Sequence, residues 1–133
     1  MADQVYPLGL QGFASKQIDW INDNIKILLV SAGYTYSASH QYISDIGGGN
    51  IVARSPNLTG KSATNGILNA STTTVLSVTG STVTQIILTQ DTGTDSSSRL
   101  IANMTSYTGL PLTPSGGNVP VVFPTDANKI MVL

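Results

Sequence analysis

Asp91-Thr92-Gly93, shortly after the apolar run Ile86-Ile87-Leu88, has the residue types of a paired-carboxylate hydrolase. In that chemistry one Asp from each of two lobes or subunits shares a proton and activates water. A chain of 133 residues would need a second copy to supply the second carboxylate. Thr89 and Gln90 precede Asp91 where such a motif wants apolar packing, and Thr94-Asp95-Ser96-Ser97-Ser98 has no strand character. Asp-Thr-Gly is equally good turn chemistry, and a turn is expected here.

His40 is the only histidine, so any Ser-His-Asp arrangement must use it. Ser37, Ser39 and Asp45 are close in sequence, but no nucleophile-elbow motif accompanies them. A histidine packed on a helix surface is expected instead. With no cysteine there is no thiolate zinc site, disulfide or cysteine nucleophile. Asp91 and Asp95 read as a solvated loop rather than a calcium site. Gly47-Gly48-Gly49-Asn50 lacks the Lys-Ser/Thr and following helix of a phosphate loop, so it reads as a linker. Trp20, Tyr34, Tyr36 and Tyr42 have the chemistry of a sugar platform, but Trp20 adjoins an apolar strand and is expected in the core. The sequons at Asn57, Asn69 and Asn103 are chance matches in an Asn/Ser/Thr-rich chain. No catalytic residue, metal ligand or cofactor is expected.

The elements that position these residues follow from composition and periodicity. Charged residues make up 10% of the chain, glutamate is absent and the net charge is −1. A surface built from Ser, Thr, Asn and Gln favours strands over exposed helices. It also repels little, which suits self-association or docking. Six basic residues are scattered singly, so no phosphate-tracking stripe and no nucleic-acid partner are expected. Met1-Ala2-Asp3-Gln4 lacks the features of a signal peptide, and no run nears the roughly 20 apolar residues of a membrane helix. A soluble protein with no membrane contact is expected.

From Ile25, one strand face carries Ile25, Ile27 and Leu29 and the other Lys26, Leu28 and Val30, the pattern of a central strand. Further strands are expected at 51–53, 66–70, 72–78, 82–90, 99–105, 119–123 and 128–133, with 72–78 and 82–90 joined as a hairpin across Thr79-Gly80-Ser81. Within 82–90, Ile86 and Leu88 share a face opposite Val83 and Ile87. In 99–105, periodicity does not choose between Leu100, Ala102 and Met104 or Ile101 and Asn103 as the inward set. Pro120 places its strand at an edge. A single short helix is expected near 39–46, capped by Ser39. Residues 5–13, broken by Pro7, Gly9 and Gly12, suit neither helix nor long strand; they either tuck against their own core or extend as an N-terminal arm over residues 1–13 onto a neighbour. The sum is one all-β domain over 1–133, a β-sandwich or barrel-like fold of about eight short strands.

Several segments, taken together, carry a resemblance. They are Ile18-Asp19-Trp20 leading into Ile25–Val30, Tyr34-Thr35-Tyr36-Ser37, and His40 before Ser44-Asp45-Ile46. Leu58-Thr59-Gly60-Lys61, Asp91-Thr92-Gly93, Arg99-Leu100-Ile101-Ala102, the Thr108–Asn118 stretch and Asn128-Lys129-Ile130 continue it. Across nearly the whole chain this resembles a family of small virion structural proteins of tailed bacteriophages. The resemblance implies a non-enzymatic capsid decoration (cement) protein bound to the phage head shell, or else a neck, tail or baseplate component. It implies the major capsid protein or other virion proteins as partners, a homo-oligomer or many copies per particle, and a place in a virion assembled in the host cytoplasm. A carbohydrate-binding β-sandwich module is a third expectation, drawn from the aromatic residues alone. Partner contacts are expected on Tyr6, Pro7, Leu8, Leu10 and Phe13, and on Leu110, Pro111, Leu112 and Pro114 of the 107–118 loop.

Overall fold

The computed structural model describes residues 2–125 and 129–133. Among them lie strands β1 (Gln4–Val5), β2 (Ile25–Ser31), β3 (Ile51–Arg54), β4 (Ile67–Leu68) and β5 (Thr73–Val75), then β6 (Val83–Gln90), β7 (Leu100–Met104), β8 (Val119–Val121) and β9 (Met131–Val132). Five form an antiparallel sheet in the order β1-β7-β6-β2-β3, and β4–β9 and β5–β8 make two-stranded ribbons. The sheet stays open at β1 and β3, so the domain is all-β and sandwich-like rather than a closed barrel. No helix among the described residues is long and apolar enough to cross a membrane.

β2 has the two apolar faces that its alternation predicts. Ile25, Ile27 and Leu29 join Ile86 and Leu88 of β6 in one cluster, which Trp20, Val75, Val121 and Met131 cover. Leu28 and Val30 join Ile87 in a second cluster, which Tyr6, Tyr34, Ile43 and Ile46 cover. Both strands are thus enclosed on both sides.

Val83 departs from strict alternation. The β2–β6 pairing steps from Val30↔Gln85 to Ser31↔Val83, so Thr84 is an extra residue and Val83 turns onto the face of Ile86 and Leu88. A second irregularity, from Leu88↔Ala102 to Thr89↔Leu100, makes Ile101 extra in β7. Ile101, Ala102 and Met104 then share one cluster while Leu100 enters the other, which resolves a choice that periodicity left open.

Three local expectations are corrected. The α-helix, α1, spans Pro7–Ala14 rather than 39–46. Pro7 sits in the first turn, where its missing N–H costs nothing. Gly9 and Gly12 act as spacers: a Cβ on Gly9 would strike the Leu100 carbonyl, and one on Gly12 would meet the Ile18 side chain. The 39–46 segment forms only a 3₁₀ turn, Ile43–Asp45, with Tyr42 rather than Ser39 at its cap. Strand pairing takes the backbone that a helix would need: Leu100 N donates to Gln41 O (2.9 Å) and Ile43 N to Ser98 O (2.9 Å). The 72–78/82–90 hairpin does not form either. β5 pairs with β8, because the strongly apolar β6 finds two long partners in β2 and β7.

Segment 4–14 packs on its own sheet: β1 pairs with β7, and Tyr6 N donates to Ile101 O (3.0 Å). At the other end, Asn128 of the expected closing strand lies outside the described residues; Met131–Val132 pairs with β4, leaving Val132 and Leu133 half exposed.

Gly9→Ala should therefore destabilise the domain by about 1–3 kcal/mol, the usual cost of overpacking. Urea unfolding should show a lower midpoint at unchanged slope, and a wild-type midpoint would disprove the close helix–strand approach.

Candidate functional site

The loop that follows β7 is fixed from below by the N-terminal segment. Asp3 Oδ2 accepts from Thr105 N (2.6 Å) and Ser106 N (2.9 Å), and Asp3 Oδ1 accepts from Ser106 Oγ (2.6 Å). Burial pushes the Asp3 carboxyl up, but the bonds from Ser106 and Thr105 outweigh it and hold it below the usual carboxylate value. Farther along, Leu112 exchanges two backbone bonds with Val83, each 2.8 Å. Tyr107 Oη accepts from Val122 N (3.0 Å), which ties the loop to the end of β8.

Between these anchors the loop stands over the sheet and leaves an apolar pocket of about 230 Å³. Leu29 and Ile86 form part of its lining from the sheet; Leu110 and Leu112 line it from the loop, and Val119 and Val121 from β8. Leu110 and Leu112 are each half-buried, so the pocket meets solvent through them. Beyond Tyr107 a groove of about 590 Å³ continues past Ser106, Val122 and Pro124. Exposed Val122 gives it an apolar lip.

The expected contact residues are therefore distributed unevenly. Leu110 and Leu112 are brought together, Pro111 is exposed between them, and Pro114 is half-buried farther along the loop. In the N-terminal set, Pro7 and Leu10 are exposed, while Leu8 and Phe13 are half-buried. Tyr6 is completely buried, its hydroxyl 2.8 Å from that of Tyr34, so reaching a partner through it requires the segment to leave the sheet.

The residues with catalytic types have other partners. Lys26 Nζ lies 2.9 Å from Asp91 Oδ2, and Gly93 N donates to Asp91 Oδ1 (2.9 Å), the bond of an Asx turn. The Lys26 bond holds the Asp91 carboxyl below its usual value, the reverse of a carboxyl that must share a proton. Asp95 is bound bidentately by Arg54 at 2.7 and 2.8 Å. His40 Nδ1 is 2.8 Å from Tyr34 Oη, at the end of a Tyr6–Tyr34–His40 chain. Among the described residues no group of His, Asp or Glu side chains is placed to hold a metal ion.

The four aromatic residues do not form one platform. Trp20 is buried beneath the sheet with Nε1 donating to Ser62 O (3.0 Å), whereas Tyr34 packs in the cluster on the opposite face. Tyr42 stacks under the Arg99 guanidinium, 5.5 Å from ring centroid to Cζ. Gly48–Asn50 forms a 3₁₀ turn, with Gly47 at its N-cap, that leads into β3. Of the three sequons, Asn103 is buried in β7, out of reach of any glycan.

Sequence reasoning passed over Gln85 and read Asn103 only as a possible inward strand residue and a chance sequon; both are amides buried within apolar strands. The available signal was their polarity inside segments that otherwise read as core. No protein-family model and no curated protein matches the chain.

The Asp3 clamp carries a pH signature. Its folded value lies below the ordinary 3.8, so its contribution is complete above that pH and is lost as pH falls through the folded value. Hydrogen-exchange protection at Thr105 and Ser106 should drop on acidification, and Asp3→Asn should show the low protection already at pH 7. Equal protection in the variant and wild type at pH 7 would remove the clamp's role.

Proposed function

We propose that this chain is a non-enzymatic virion structural protein, a capsid decoration (cement) protein that binds the head shell of a tailed bacteriophage. The carrying observation is the apolar pocket between Leu110, Leu112 and the sheet residues Leu29 and Ile86. At about 230 Å³ it is smaller than the roughly 300–1,000 Å³ of small-molecule sites. That size favours an anchoring side chain over a free metabolite. Its occupant in this reading is an aliphatic or aromatic side chain of the major capsid protein, seated as interface anchors usually are.

The sequence resemblance supplies the virion context, and the physical properties suit it. A decoration protein acts by binding alone: many equivalent copies straddle shell junctions, and modest buried area per copy opposes expansion. A net charge of −1 on a chain with 10% charged residues leaves little electrostatic cost to close packing of copies. The structural bonds made by Asp91 and Asp95 support a passive domain. A neck, tail or baseplate component is the alternative, with fewer copies per particle.

Purified chain should co-sediment with head shells assembled without it, at many copies per shell. Leu110→Asp should weaken that binding by about tenfold or more, equivalent to about 1.4 kcal/mol, with an unchanged circular-dichroism spectrum. Binding to tails or baseplates alone would favour the alternative, and binding to neither particle part would overturn both.

A further inference from the structure

We propose that a hollow on the Tyr34 face of the sheet binds a neutral saccharide. It lies across the sheet from the loop pocket: Gln85 pairs with Val30 and Asn103 with Ile87, both members of the Tyr34 cluster, whereas Leu29 and Ile86 belong to the other cluster. The proposal is thus independent of the shell-docking reading.

Two amides sit where apolar side chains would complete this face. Gln85 is 6% exposed and Asn103 1%. Burying an amide is unfavourable unless each polar atom is paired. Gln85 meets that condition: Nε2 donates to Ser31 O (2.9 Å) and Tyr34 O (2.7 Å), and Oε1 accepts from Asn103 Nδ2 (2.9 Å). Asn103 Oδ1 has no hydrogen-bond partner among the described residues.

Asn103 lines a hollow of about 390 Å³, within the range of small-molecule sites. Gln85, Tyr34, Tyr36, Thr84 and Thr105 also line it, and every residue around it is uncharged. No charged donor is there to strengthen binding of a phosphate or carboxylate, so an ionic ligand is disfavoured. The threonine hydroxyls, tyrosines and amides of this lining suit a neutral ligand with O–H or N–H groups to exchange. The tyrosines are held rigidly beside it. Tyr36 Oη donates to Val5 O (2.8 Å), and its ring lies 4.9 Å from the Tyr6 ring at 48°. The Tyr34 hydroxyl is engaged by Tyr6 and His40.

A saccharide matches this set. Its hydroxyls both donate and accept in several directions, for Asn103 and the threonines, and its C–H face suits a fixed aromatic ring. A peptide strand fits less well, because strand addition uses a sheet edge and the hollow is on a sheet face.

The test is NMR titration of the full ¹⁵N-labelled chain with glucose, galactose and N-acetylglucosamine, with diglycine and glucose 6-phosphate as contrasts. At least one neutral sugar should give saturable shifts of the Asn103 and Gln85 side-chain amides. Asn103→Leu, and separately Thr84→Arg at the mouth of the hollow, should each weaken that sugar by tenfold or more; the second variant decides the matter if the first does not fold. The proposal fails if no sugar moves these amides, if only diglycine or the sugar phosphate does, or if a folded variant retains full sugar affinity.

Discussion

The whole molecule depends on the pairing of β2 with β6, because both strands are apolar on both faces. Five apolar side chains of β2 and four of β6 are buried, each worth roughly 1.5–3 kcal/mol when fully removed from water. The ion pairs Lys26–Asp91 and Arg54–Asp95 are partly solvated, and such pairs contribute about 0–1 kcal/mol each. Burial therefore sets the fold, and charge only trims strand ends. A sheet of this kind must be covered twice, so the rest of the chain is divided between two faces.

The two coverings differ in chemistry. One consists of short ribbons and the buried indole of Trp20, whose side chains form an apolar cluster and whose indole also donates to Ser62 O. The other is tyrosine-rich, with hydroxyls and amides bonded among themselves. Where a covering stops short of the sheet, a recess remains, apolar beneath the 107–112 loop and polar beside Tyr36. Each recess takes its character from the face beneath it. The two candidate sites are thus consequences of incomplete coverage on opposite sides of one sheet.

Irregularities in the pairing shape both sites. The extra residue at Thr84 turns Val83 into the apolar layer, where its backbone holds Leu112, while Gln85 keeps the regular alternation and faces the opposite side. The irregularity at Ile101 lets Leu100 and Asn103 share the tyrosine face while Ile101, Ala102 and Met104 fill the other. Bulges of this kind re-aim side chains without ending a strand.

Much of this was legible in the residues themselves. The alternation in Ile25–Val30, the edge position of Pro120, the core role of Trp20 and the all-β class all follow from local pattern, since burial and strand pleat act residue by residue. The loop holding Leu110 and Leu112 was also visible, as a Gly/Pro-rich connection, though not the pocket beneath it. What sequence could not supply was whatever depended on distant partners. Gly9 looks like a helix breaker until β7 lies against it, and Gly12 until Ile18 does; residues 41–43 look helical until Ser98 and Leu100 claim their backbone bonds. β5 looks like the hairpin mate of β6 until β8 reaches it from 44 residues beyond, measured Val75 to Val119. Propensity is a local quantity, whereas strand partners, close approaches and orphaned amides are settled by long-range contacts. Composition and periodicity thus determined the two-faced sheet, and tertiary structure alone decided what would cover it and where gaps would remain.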